Sequence, residues 1–213
     1  MSAKYSKDKT EGFYAKIGKR IFDLVLSIPS LVILSPVFLL SAILIKVETS
    51  GPISFAQERI GRNGKVFKLY KFRTMVKDAS KIGLSITPAN DPRITKIGKL
   101  LRKFKVDEML QIFNVVKGDM SVIGPRPEIK KYIDKFEDDY KEVLKIKPGM
   151  TDYAVIAFIN EEEILAKFND IEEGYIKVVM PEKIKLYKKY MGEMSLTTDA
   201  KIFFKTIWEI LSR

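Results

Sequence analysis

"LVLSIPSLVILSPVFLLSAILI", residues 24–45, is an uncharged run bounded by basic residues. A straight helix rises about 1.5 Å per residue, so a run of this length could cross a bilayer core once. It is long for the core of a signal peptide, and no small-residue cleavage site follows it. Two features favour entry and exit by the same face. Lys16, Lys19 and Arg20 precede the run, and Lys46, Arg59, Arg62 and Lys65 follow it. The positive-inside tendency draws both flanks to the cytoplasm, which a single crossing cannot satisfy and a hairpin can. The second feature is "LSPVF" at 34–38. Pro36 has no N–H, so the Val32 carbonyl loses its helical donor, and the ring bends the helix. The Ser35 hydroxyl can serve a carbonyl one turn back, where no water is at hand. The break leaves two arms of roughly 15–18 Å, each about half the hydrocarbon thickness. Pro29 is a second possible bend. A kinked helix that spans the bilayer is the alternative, since proline is tolerated there.

The expected layout is a disordered N-terminus over 1–15, a re-entrant membrane helix over 16–50 and a domain on the cytoplasmic face over 51–213. The chain has 213 residues, which suits one domain with a real core. Its net charge of +11 points to anionic partners: nucleic acid, phosphorylated small molecules or an acidic membrane surface. There is no Cys and no His. Disulfides, thiolate nucleophiles and zinc knuckles are excluded, as is a Ser-His-Asp triad. Carboxylates, Lys, Tyr and a hard divalent cation remain, a normal set for phosphoryl chemistry. The basic side chains lack an aromatic stacking pattern, so no nucleic-acid partner is expected.

Beyond Gly51 the pattern changes. "ISFAQERI" and "KVFKLYKF" are strand-like and are joined by "GRNG", in which Asn63-Gly64 is a strong turn signal. A β-hairpin is expected over about 53–73, carrying Arg59, Lys65, Lys68, Lys71 and Arg73. These could face solvent beside anionic lipid, or bind substrate; Arg59, Lys71 and Arg73 are the candidates. Residues 77–92 read as a loop. A basic amphipathic helix follows, with Ile94, Ile97, Leu100, Leu101 and Phe104 on one side and Lys96, Lys99, Arg102 and Lys103 on the other. It suits a membrane surface or an ordinary solvated face.

"KFKVDEMLQIFN", 103–114, places Asp107 beside Glu108. Met109, Ile112, Phe113 and Val116 follow helical spacing and Gly118 suits the C′ position, so a helix is expected over about 108–117 with Asp107 as its N-cap. Capping alone accounts for such an Asp in many proteins. The alternative is chemical. An ionised Asp can attack phosphorus, a neighbouring carboxylate can hold a divalent cation, and Arg102 can offset charge. In "GPRPE", Pro125 and Pro127 fix the backbone on both sides of Arg126, either as a rigid turn or as a preset guanidinium. The acidic residues at 160–175 read as solvated helix faces. Pro181 can start a helix carrying Ile184, Tyr187 and Met191. A last helix starts at a Thr cap and carries Ile202, Phe203, Ile207, Trp208 and Leu211, as core or at a membrane interface.

"QERIGRNGKVFKLYKFRTM" (57–75), "DPRITKIGKLLRKFKVDEMLQIFNVVKGDMSVIGPRP" (91–127) and "KPGMT" (147–151) together resemble the bacterial sugar transferase family, the monotopic phosphoglycosyl transferases. The likeness runs from about Lys19 to the C-terminus and is that of a small, minimal-core member. It implies a mainly α fold with a small β-hairpin (α+β), in which a re-entrant helix and amphipathic interface helices surround a compact catalytic domain. It also implies transfer of a sugar-1-phosphate from a nucleotide sugar, usually a UDP-sugar, to polyprenyl phosphate at the cytoplasmic face of the bacterial inner membrane, as in surface polysaccharide or glycoconjugate synthesis. By this resemblance Asp107 is the nucleophile, and Glu108 is associated with Mg2+, for which both carboxylates are candidate ligands. Arg102 contacts phosphate; Pro125, Arg126 and Pro127 lie near the nucleotide; Ser35 and Pro36 form the membrane break. Asp152 and Tyr153 stand where many members have Gly-Trp, and Ile159 where a branch has Arg. A non-catalytic lipid-binding scaffold of the same fold is the competing expectation. The sugar, the base and the oligomeric state are not legible.

Overall fold

The computed structural model describes residues 8–79 and 91–212. Most of the loop expected at 77–92 lies outside the described residues. Helix α1 (Asp8–Glu11) and a π-helical turn (Tyr14–Gly18) lead into α2 (Lys19–Ile33). Within the stretch expected to be disordered, the described residues from Asp8 onward are largely helical. The Tyr14 hydroxyl donates to Asp199 at 2.7 Å, which ties this segment to the other end of the chain.

Leu34 ends α2, and α3 (Ser35–Glu48) leaves at 57° to the helical stretch before it. The Ser35 hydroxyl donates to the Val32 carbonyl at 2.8 Å, the acceptor that Pro36 cannot serve. Among the described residues no single helix is long and apolar enough to cross a membrane, whereas this bent pair qualifies by combined length and composition. Its polarity is inverted relative to a soluble helix. Lys19, Asp23, Ser27 and Ser41 are buried, while Val25, Val32, Leu39 and Ile43 are exposed.

β1 (Ser54–Ile60) and β2 (Val66–Phe72) pair antiparallel, with Ile60 opposite Val66. Asn63 and Gly64 adopt the positive φ that the turn demands, 57° and 76°. In α4 (Lys96–Lys103), Thr95 accepts from Gly98 N, and Glu48 at the end of α3 accepts from Lys96 N and Ile97 N at 2.7 and 3.0 Å. Leu101 is buried, but Leu100 and Phe104 are exposed beside the cations.

α5 (Gln111–Lys117) ends at Gly118, φ 96°, as its C′ position requires. β3 (Ser121–Ile123) is followed by α6 (Lys130–Ile133), α7 (Glu137–Val143) and β4 (Gly149–Thr151), which pairs parallel with β3. There follow α8 (Tyr153–Ala157), α9 (Glu161–Leu165), α10 (Ile171–Gly174), a π-helical turn (Tyr175–Val179), α11 (Met180–Glu193) with Pro181 in its first turn, and α12 (Leu196–Leu211). The cap of α12 is Ser195 rather than a Thr; its hydroxyl accepts from Thr198 N.

Among the described residues the fold is thus mainly helical with two small sheets. Its main core gathers Val115, Ile123, Leu165, Met180, Tyr187 and Ile202. A smaller cluster of Ile45, Phe72 and Leu101 packs α3 against the hairpin and α4. Lys19 and Arg20, read from the sequence as part of the basic flank, are engaged internally. Lys19 donates to Asp199 (2.6 Å) and to the Tyr190 hydroxyl (2.7 Å). Arg20 donates to the carbonyls of Val115 and Val116 at the end of α5, and Asp23 accepts from Ser121 Oγ and Val122 N. The base of the apolar pair is thereby fixed to α5, β3 and α12.

Candidate active site

The dyad is presented by a tight reversal between α4 and α5. Lys105 is left-handed, φ 54° and ψ 19°, and Val106–Glu108 forms one 3-10 turn. Glu108 N bonds to the Lys105 carbonyl, Met109 N to Val106 and Ile112 N to Met109, all three residues apart. This corrects the expected helix over 108–117: α5 starts only at Gln111, and Asp107 sits inside the turn rather than capping a helix. The left-handed residue interrupts the α spacing that the apolar pattern alone would continue.

Asp107 is 7% exposed, and its Oδ1 is buried with no hydrogen-bond partner. It lines a cleft of about 1330 Å³ that also receives Glu108, Lys71, Arg102, Lys105 and Arg126. Burial, then the charge of Glu108, pushes the Asp107 carboxyl up to about 6, against the pull of Lys71, Arg102 and Lys105. Glu108 goes the other way. Burial raises it, but Arg126 and Lys71 prevail and hold it well below the ordinary glutamate range. Its Oε1 accepts from Lys71 Nζ at 2.8 Å and from Arg126. Two adjacent carboxylates are thus driven apart, one poised near neutrality and one firmly ionised, the pattern by which divided roles are recognised.

Arg126 reaches Glu108 from the junction of the small parallel sheet. Pro125 accepts from Gly149 N at 2.9 Å, and the Gly124 and Gly149 backbones touch so closely that a Cβ on Gly149 would lie 2.1 Å from Gly124 N. Pro127 lines the cleft. Arg102 donates through Nε to Thr74 Oγ1 and through Nη1 to Glu162, both at 2.9 Å. Arg59 lies on the cleft wall but is paired with Glu128 (2.8 Å) and Gln57 (2.8 Å). Arg73 is buried, and its guanidinium donates to the carbonyls of Thr49 and Ser50 and to Thr49 Oγ1, closing the exit of α3 onto the hairpin. Ser35 and Pro36 are not among the described cleft residues, although the adjoining Leu34 is.

Several groups escaped sequence reasoning. The acidic residues at 160–163 are not merely solvated: Glu162 holds Arg102, and Glu161 pairs with Lys183, which is 4% exposed and stands over the Tyr175 ring at 5.0 Å. A buried ammonium needs such a counter-charge. Asp152 caps α8 by accepting from Val155 N at 2.7 Å, while its other oxygen is buried without a partner, and burial pushes its carboxyl up to about 7. Tyr153 donates to Glu193 at 2.7 Å, pinning α8 to α11.

A carboxylate oxygen with no hydrogen bond keeps its lone pairs for an electrophile or a cation. Lys71, Arg102, Lys105 and Arg126 make the surroundings favourable to phosphate. The described residues contain no cluster of three or more His, Cys, Asp or Glu that could enclose a metal by themselves.

A family model described as bacterial sugar transferase matches residues 14–213. The UDP-N-acetylgalactosamine-undecaprenyl-phosphate N-acetylgalactosaminephosphotransferase of Aeromonas hydrophila is 34% identical over 201 residues, 91% of this chain and 44% of that protein. The UDP-glucose:undecaprenyl-phosphate glucose-1-phosphate transferase of Escherichia coli K12 is 35% identical over 196 residues, 90% of this chain and 39% of that protein. The exopolysaccharide production protein PSS of Rhizobium leguminosarum bv. phaseoli is 34% identical over 205 residues, 92% of this chain and 96% of that protein. The chain therefore spans less than half the length of the first two relatives and nearly all of the third.

Proposed function

Because the chain belongs to the bacterial sugar transferase family, we propose that it moves a sugar-1-phosphate from a UDP-sugar to undecaprenyl phosphate, releasing UMP, in the assembly of a surface polysaccharide or glycoconjugate. The observation that carries this reading is the buried, unpartnered Oδ1 of Asp107 on the wall of a cationic cleft. The Asp107 carboxylate attacks the sugar-bearing phosphorus, the bond to UMP breaks, and a phosphosugar is left on the aspartate. An oxygen of the lipid phosphate then attacks the same phosphorus, and the carboxylate is restored. Neither step needs a proton transfer when the carboxylate and the lipid phosphate enter as anions, which suits a chain without histidine.

Mg2+ fits these residues. It takes one or two carboxylates together with substrate phosphates and keeps several waters, so two side chains suffice. The carboxylates of Asp107 and Glu108 would hold it. When bound it offsets negative charge on the diphosphate. Arg126 and Lys71 keep Glu108 ionised, and Arg102, fixed by Thr74, faces the cleft as a phosphate contact.

The bent pair supports a re-entrant reading, in which both arms enter from the cytoplasmic face and their exposed apolar side chains meet lipid. The buried polar side chains of α2 then face protein, where such groups belong in a membrane protein. Exposed Phe204, Trp208 and Leu211 on α12 support an interfacial position for that helix. The chain has no cysteine, so cysteines introduced singly at Lys9 and Ser212 report topology cleanly. Both should react only from the cytoplasmic side; labelling of either from outside refutes the re-entrant reading.

The chemical test uses UDP-N-acetylgalactosamine and UDP-glucose with undecaprenyl phosphate and Mg2+. Asp107→Asn should lower UMP release at least about 10³-fold while membrane binding persists. Donor alone should add the mass of a phosphosugar to the peptide containing Asp107. Unchanged turnover in the variant would leave a binding scaffold as the better account.

A further inference from the structure

We propose that Lys105 receives the phosphate of the lipid acceptor and positions it for the second transfer. The inference rests on the reading of Asp107 as nucleophile. Lys71, Arg102 and Lys105 line the cleft with Asp107 and bear on its carboxylate. Two are committed. Lys71 donates to Glu108, and Arg102 to Thr74 and Glu162. Lys105 lines the same cleft, half-buried, and its ammonium has no hydrogen bond or ion pair among the described residues. Of these three it is the one, among the described residues, whose charge has no protein partner.

The backbone points the same way. A lysine at φ 54° occupies a region that non-glycine residues enter at a cost of about 1 kcal/mol. The strained conformation is held on both sides, by Lys105 N on the Arg102 carbonyl (3.0 Å) and Glu108 N on the Lys105 carbonyl (3.3 Å). Strain retained two residues from a reactive carboxylate is informative about function. The flank is informative about the ligand. Phe104 and Leu100, just upstream in the chain, are 43% and 48% exposed, so apolar surface adjoins Lys105 outside the cleft lining. A phosphate carried on a lipid suits a cation with apolar surface beside it. Arg126 and Lys71 are grouped instead on Glu108, the carboxylate that manages the donor's charge.

The second transfer is also the step that most needs a fresh cation. The phosphosugar on Asp107 carries one negative charge, and the incoming phosphate monoester carries two. An oxygen of the monoester forms the new bond to phosphorus as the Asp107 oxygen leaves with its electron pair. The total charge of minus three is the same before and after. A lysine ammonium, with three donors on a flexible stem, can follow a mobile headgroup into line.

The test compares wild type with Lys105→Met and Lys105→Arg in the purified full chain at pH 8, in micelles containing undecaprenyl phosphate. Single-turnover UMP release with UDP-sugar alone reads the donor step, and the KM for undecaprenyl phosphate reads the acceptor step. Lys105→Met should raise the acceptor KM by about 10- to 100-fold, the span of a lost charged hydrogen bond, with the donor step within about threefold of wild type. Lys105→Arg should restore most of the KM. An acceptor KM that does not move in Lys105→Met overturns the proposal. So does a loss confined to the donor step, which would assign the charge to the nucleotide diphosphate. UMP release by wild type that requires acceptor would refute the covalent intermediate, and the KM comparison would still decide the part played by Lys105.

Discussion

Replacing Asp152 by Asn should make the protein more stable at alkaline pH than it is now. The Asp152 side chain is fully buried; one oxygen accepts from Val155 N, and the other has no partner. Burial raises its carboxyl from 3.8 to about 7, against the weaker pull of the Val155 N–H, Lys183 and Arg126. A raised folded value means that the native state holds the proton more tightly than the unfolded chain. The stabilisation is complete below the unfolded value and is lost as pH rises through the folded one. Three pH units at 1.36 kcal/mol each give about 4 kcal/mol in all, of which about 3 kcal/mol falls between pH 5 and pH 8. Asparagine caps helices as well as aspartate does, so α8 keeps its start. Its extra N–H group lacks a partner, which costs about 1–3 kcal/mol at every pH. The variant should therefore begin level with or below wild type at pH 5 and gain on it steadily, by roughly 6–12 °C in relative Tm by pH 8 for a chain of this size. Thermal unfolding in detergent at half-unit pH steps measures the difference. Parallel curves for the two proteins would refute the assignment of a protonated Asp152.

Asp199→Ala leaves the buried Lys19 ammonium without its carboxylate; a loss of about 3–5 kcal/mol is expected, with much of it recovered in Lys19→Met/Asp199→Leu, as thermal unfolding of the three proteins would show. Gly98→Ala puts a Cβ 2.0 Å from the Thr74 carbonyl oxygen. Thr74 must shift and carry the Arg102 guanidinium with it, so the donor KM should rise alongside a stability loss of about 1–3 kcal/mol; an unchanged KM would separate Thr74 from the placing of Arg102. Chelation with EDTA should abolish UMP release, reversibly on adding Mg2+, yet leave Tm unmoved, because Lys71 and Arg126 already neutralise Glu108. A large fall in Tm on chelation would speak for a structural ion instead.

Where local chemistry decided the structure, the sequence was readable. Asn63-Gly64 dictates a turn because few other pairs accept positive φ twice in succession, and the hairpin forms where that pair lies. Pro36 removes a donor and Ser35 replaces it, so the bend could be placed to the residue. Gly118 ends α5 for an equally local reason. The start of α5 was not legible, because the apolar spacing of Met109, Ile112 and Phe113 runs unbroken through a reversal set by Lys105. Asp107 could be singled out by its neighbour Glu108; the partners of Glu108 could not. Lys71 meets Glu108 across 37 residues, Arg102 meets Glu162 across 60, and Lys19 meets Asp199 across 180. Such pairings belong to the packed chain and leave no periodic trace. The same is true of Glu161, whose role depends on a buried lysine in another helix.

Arg20 grips the last carbonyls of α5, and Asp23 grips the start of β3, so the apolar pair and the wall of the cleft form one stiff body. On the re-entrant reading proposed above, the depth of the pair in the bilayer fixes the height at which Asp107 rides. A thinner or thicker bilayer would raise or lower the reactive oxygen relative to the plane of lipid phosphates, with no hinge between them to absorb the change. On that reading the host membrane's dimensions would become, through two side chains, part of the geometry of the reaction.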